Sequence, residues 1–184
     1  MDKNLKFNLF LSLFVIWDYN ISGDFMKLEK TNAMRILDKA KISYQTYTYD
    51  ADDGAIDGVS VAKKCSQAPK KVFKTLLTRG SSKNYFVFVI PVEHELDLKK
   101  CAKAVNEKSV DMIPVSEINK VSGYIRGGCS PIGMKKLYKT VLHESCQTLD
   151  TIIFSGGKIG FQIEMDPHEL IQLIHAETAD LVKA

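Results

Sequence analysis

The chain lacks the usual signatures of enzyme chemistry. It has no G-x-S-x-G, no Walker-type lysine motif and no G-x-G-x-x-G, which leaves it without the marks of serine hydrolases, P-loop nucleotide hydrolases and dinucleotide binders. Cysteine is sparse: Cys65, Cys101, Cys129 and Cys146, none in a C-x-x-C pair. A chain of 184 residues can bury a full core without staples. These thiols therefore read as reduced, which favours a cytoplasmic protein. His143 and Cys146 have H-x-x-C spacing but no second ligand pair, so a zinc site is not expected. The acidic stretch Asp50-Ala51-Asp52-Asp53-Gly54 fails the calcium-loop pattern, because Val61 stands where the closing glutamate would be. It reads as a solvated turn. His94, His143, His168 and His175 read as surface or helix-end side chains.

Charge is scarce as a net quantity and uneven in placement. The formal excess is +3. Positions 60–139 hold 16 Lys and Arg against 6 Asp and Glu, while the flanks hold 9 against 16. A basic middle between acidic ends suits a polyanion; it is equally the pattern of lysine-rich solvated helices.

Long apolar runs are also rare. One lies at the start, where Lys3 and Lys6 precede Phe7 to Trp17, interrupted only by Asn8 and Ser12. It is too short to span a bilayer as a helix and has no good small-residue cleavage site after it. Residues 1–25 are expected to be an extension upstream of a natural start at Met26, with 26–184 forming one domain.

The rest alternates between the two periodicities. Thr31 to Ala40 is expected as a helix, Ser43 to Tyr49 as a strand and Val59 to Cys65 as a short helix. Val72–Arg79 and Tyr85–Ile90 form a predicted hairpin; the second strand, apolar on both faces, belongs in the centre of a sheet. Asp97 caps a helix to about Val105, and Pro114 to Lys120 is another short helix. Ile152–Phe154 and Ile159–Glu164 form a second hairpin around Ser155-Gly156-Gly157-Lys158, and Asp166-Pro167-His168-Glu169 starts a last helix to about His175. The fold class is α+β.

Two features stand out from that background. Positions 123–136 (Gly-Tyr-Ile-Arg-Gly-Gly-Cys-Ser-Pro-Ile-Gly-Met-Lys-Lys) combine four glycines, one proline and three cations. Such a backbone is shaped for close approach, and its charge suggests an anionic ligand. Lys74 is an ammonium in mid-strand, sharing a face with Val72 and Leu76. It either snorkels to water or sits at a pocket floor as a positioned cation. Cys129 and Ser130, inside the glycine run, read either as nucleophiles or as small side chains serving their own loop.

Lys30–Arg35, Val72–Leu76, Leu96–Lys100, Gly123–Lys136 and Ser155–Lys158, in that order, resemble the YbaK/EbsC family, which is similar to the editing domain of bacterial prolyl-tRNA synthetase. The resemblance runs from about Lys30 to Leu173. It implies a strongly twisted mixed sheet, partly closed like a barrel, with helices outside. It implies a free-standing deacylase acting on mischarged Cys-tRNA(Pro), with no cofactor, no metal and no membrane attachment, and with prolyl-tRNA synthetase as a partner. The family's required lysine maps onto Lys74. Its tyrosine maps onto Tyr49, its threonine onto Thr75, and its glycine loop onto Gly127, Gly128, Ser130 and Pro131. Relatives often carry an aliphatic residue in place of Cys129, which argues against a protein thiol as nucleophile. In this family the substrate's own thiol attacks the ester carbonyl. An Ala-tRNA(Pro) deacylase using water, and a tRNA- or synthetase-binding module without turnover, stay open as alternatives.

Overall fold

The computed structural model describes residues 29–183. The proposed extension, residues 1–25, lies outside the described residues. Helix α1 (Asn32–Ala40) starts at Thr31, whose hydroxyl accepts the Met34 N–H, and ends at Lys41 in a left-handed conformation. Ala33, Met34 and Leu37 form its buried face, the i, i+1, i+4 stripe of an amphipathic helix. Strand β1 (Gln45–Thr48) follows, then an acidic loop and α2 (Gly58–Lys64).

The hairpin of β2 (Phe73–Gly80) and β3 (Tyr85–Pro91) is antiparallel, with Lys74 opposite Ile90 and Arg79 opposite Tyr85. Helix α3 (Leu98–Ala104) is capped by Asp97, which accepts from Lys99 and Lys100 N–H. Then come β4 (Val110–Met112), α4 (Val115–Ser122), β5 (Lys139–His143), β6 (Ile152–Ser155), β7 (Phe161–Met165), α5 (Pro167–Ile174) and β8 (Glu177–Ala179). Asp166 caps α5 and Pro167 opens it.

One sheet has the order β4-β2-β3-β5-β8 and the other β1-β7-β6. They are joined by an isolated bridge between Val72 and Ile153. The sheets do not close into a barrel, so the expected partial closure takes the form of two sheets meeting at one corner. The α+β class holds.

Central β3 explains its own composition. Val87 and Val89 face α1, β6, β7 and α5 in one core. Phe86, Phe88 and Ile90 face α3 and the C-terminal Leu181 and Val182 in another. A strand covered on both faces has no polar side to show. Strands β4, β5 and β8 were not expected: β4 and β8 are three-residue strands, and β5 begins just after the glycine run. β5 and β8 are recruited by parallel pairing, β5 against β3 and β8 against β5. The strand expected from Ile159 begins at Phe161, because Gly160 has a positive φ of 88°.

Candidate active site

Strand β2 pairs with β3 over Phe73–Arg79 but with β4 only from Thr78 to Gly80. Lys74 to Leu76 therefore have no β4 partner beside them. They border a cavity of about 990 Å³ at the junction of the two sheets, a volume suited to a nucleoside-sized ligand. Tyr49, Asp57, Lys74, Thr75, Arg126 and Gly127 all line it. Apolar Ile56, Val59, Met112 and Val115 complete its walls, with Met112 and Val115 also exposed to solvent.

Lys74 is half-buried, and its Nζ donates to Val92 O at 3.1 Å. An ammonium has three donors, and this is the one bond Lys74 makes among the described residues. Burial pulls its pKa below the usual 10.5, opposed by the fields of Glu95 and Asp57. Thr75 lies on the other face of the strand. Its Oγ1 is buried with no hydrogen-bond partner among the described residues. Tyr49 lies one residue past β1, held by a bond from its N–H to Gly160 O at 3.0 Å.

The glycine run is clamped from both sides. Tyr124 Oη donates to Ile132 O at 2.6 Å, and Asn32 of α1 donates to Gly133 O at 3.2 Å. A Cβ on Gly133 (φ 77°) would come within 2.6 Å of that same Asn32 amide, so the clamp requires glycine. Lys135 is spent at the C-terminal end of α4, donating to Asn119 O at 2.9 Å, where the helix dipole favours a cation. Arg126, by contrast, faces the cavity. Gly127 (φ 83°) approaches Ile56 so closely that a Cβ would stand 2.7 Å from its Cδ1. Gly128, Ser130 and Pro131 are not on the cavity wall. Gly128 packs on the main chain at 158–159 and its N–H goes to Ile125 O. Ser130 is fully buried, its Oγ accepting from Ile132 N–H.

Cys129 borders the cavity but is buried, and burial pushes its thiol up to about 12. It stays protonated at neutral pH and is a poor nucleophile. Among the described residues no group of three His, Cys, Asp or Glu could hold a metal ion, and no helix is long and apolar enough to cross a membrane. The histidines serve elsewhere: His143 Nδ1 accepts from Ser145 N–H, and His175 ends α5 in a left-handed conformation.

The acidic loop has an internal cation. Lys64 Nζ, at the end of α2, donates to Asp50 O at 2.9 Å, Asp53 Oδ1 at 2.5 Å and Ala55 O at 3.1 Å. The loop it fastens runs on into Ile56, Asp57 and Gly58 of the cavity wall. Sequence reasoning passed over Asp57 and Gln162, both on that wall. Asp57-Gly58 ahead of an apolar-periodic segment is a helix-cap signal; nothing in the sequence pointed to Gln162.

Residues 56–173 match the aminoacyl-tRNA editing domain family. The chain belongs to this family. It is 42% identical over 153 residues to "Putative Cys-tRNA(Pro)/Cys-tRNA(Cys) deacylase EbsC" of Enterococcus faecalis, covering 83% of this chain and 93% of that protein. Among solved structures it is similar to "a putative trans-editing enzyme for prolyl tRNA synthetase" (TM-score 0.69, 20% identity, 77% of this chain and 87% of the other). It is also similar to a hypothetical protein with TM-score 0.74 at 17% identity, over 81% of this chain and 97% of the other. At those identities the structural likeness concerns the fold. In this editing domain, Lys74 and the Gly127 turn line one cavity.

Proposed function

We infer that this protein deacylates mischarged aminoacyl-tRNA in trans, with Cys-tRNA(Pro) as its substrate. The carrying observation is Lys74: an ammonium with one protein acceptor, in a cavity whose one thiol, Cys129, burial keeps protonated. The EbsC relative, by its name, acts on Cys-tRNA. An aminoacyl ester is already activated, so the protein need only place it and stabilise charge. The substrate sulfur attacks the ester carbonyl. A C–S bond forms, the C–O bond to the terminal ribose breaks, and the thiol proton passes to the ribose oxygen. The products are a cyclic thiolactone and free tRNA.

The remaining donors of Lys74 stabilise the oxyanion of that step. The Gly127 turn forms the opposite wall, with Gly128, Ser130 and Pro131 holding its shape. Tyr49 and Thr75 orient the terminal ribose. Prolyl-tRNA synthetase, named for the structural relative, is the partner expected to hand over the tRNA in the cytoplasm.

The test is release of amino acid from Cys-, Ala- and Pro-tRNA(Pro) by wild type and Lys74→Ala. Cys-tRNA(Pro) should be the preferred substrate, and the variant should lose about 10²–10³ in rate, the usual cost of one oxyanion donor. Near-wild-type activity of Lys74→Ala would remove the lysine from the mechanism. Preference for Ala-tRNA(Pro) would replace thiol attack by water.

A further inference from the structure

The cavity wall carries charges of both signs. Lys74 and Arg126 are its cations, and Asp57 is the single acid among the lining residues. Asp57 caps α2, accepting the Ser60 N–H at 3.0 Å. No ion pair neutralises it among the described residues; the acids and bases that do pair, such as Asp53 with Lys64 and Glu95 with Lys183, do so elsewhere. The Ser60 hydroxyl and then its main-chain N–H hold the Asp57 carboxyl below the usual range, so it is an anion at neutral pH. Its field reaches the Lys74 ammonium.

A tRNA end offers phosphates and, during attack, an oxyanion; both go to the cations. An aminoacyl ester adds one further group, the α-amine, which is partly protonated near neutral pH and hydrogen-bonds as an ammonium in that form. Lys74 and Arg126 repel an ammonium; a carboxylate attracts it and accepts its hydrogens. The signs on the wall therefore orient an aminoacyl ester one way round. Resting on the deacylase reading above, we propose that Asp57 binds the α-ammonium of the aminoacyl ester and so selects free aminoacyl-tRNA against N-acylated tRNA, peptidyl-tRNA included. Such selection has a use: a deacylase that ignored the amine would also cut nascent peptides from tRNA.

The experiment compares kcat/KM for Cys-tRNA(Pro) and N-acetyl-Cys-tRNA(Pro), which share thiol and ester and differ at the amine. Asn replaces Asp at a helix cap with little loss, so Asp57→Asn removes the charge and keeps α2. Wild type should favour the free amine by about 10–100-fold, the range expected for an exposed charge-assisted hydrogen bond. Asp57→Asn should lose most of that preference through a raised KM on the free amine alone, with the acetylated substrate unchanged. Should Asp57→Asn melt early, Asp57→Ser, also a capping residue, takes its place. Equal wild-type rates on the two substrates, or a variant that slows both alike, would overturn the amine site while leaving the deacylase intact. No wild-type release from Cys-tRNA(Pro) would overturn the deacylase and this site together.

Discussion

Two lysines ten positions apart, one in the loop-fastening α2 and one in the cavity-bordering β2, illustrate how the same group comes to different uses. Lys64 has all three ammonium donors placed on oxygens of the loop it closes. Lys74 has one carbonyl and an open cavity. Saturation makes the first a fastener. Incomplete pairing makes the second a binding group, at the cost of burying a charge with too few partners.

Truncating each lysine in turn sharpens the contrast most. Lys74→Ala should lose about 10²–10³ in deacylation rate with its melting temperature nearly unchanged. Lys64→Ala should do the reverse, lowering the midpoint of denaturant unfolding, since it unties the acidic loop from α2. Its activity should fall about tenfold at most, as a raised KM, because the freed loop forms part of the cavity wall. Equal activity losses in the two variants would erase the distinction.

A smaller effect lies in stability against pH. The folded state depresses the Lys74 pKa. Between that depressed value and the ordinary 10.5 the unfolded chain binds more protons, so stability rises with pH across the window. The penalty is complete below the folded pKa and relieved above it. Lys74→Met, which buries no charge, should be more stable than wild type at pH 7. Its margin should narrow as pH climbs toward 10.5; a margin that widens would mean the ammonium is better solvated than its surroundings indicate.

The smallest change is expected at Cys129. With its thiol pushed up to about 12, Cys129→Ala should keep deacylation within about threefold and react no differently with alkylating reagents at neutral pH. Loss of activity comparable to Lys74→Ala would make it a nucleophile after all.

Much of the framework was readable in advance because it depends on local order. Asp97 and Asp166 cap helices where their spacing placed them, and β3 is central as its two apolar faces required. Capping and periodicity involve neighbours a few residues apart. The amino-acid order also marked Lys74 and the glycine run as unusual. It left open which acceptors Lys74 and Lys64, or Arg126 and Lys135, would find in the folded chain. Nor could it bring Asp57 to the same wall as Lys74, or give β5 and β8 their parallel partners. Those outcomes depend on which chain segments pack together and on which donors are left over once they have, and that accounting closes only in three dimensions.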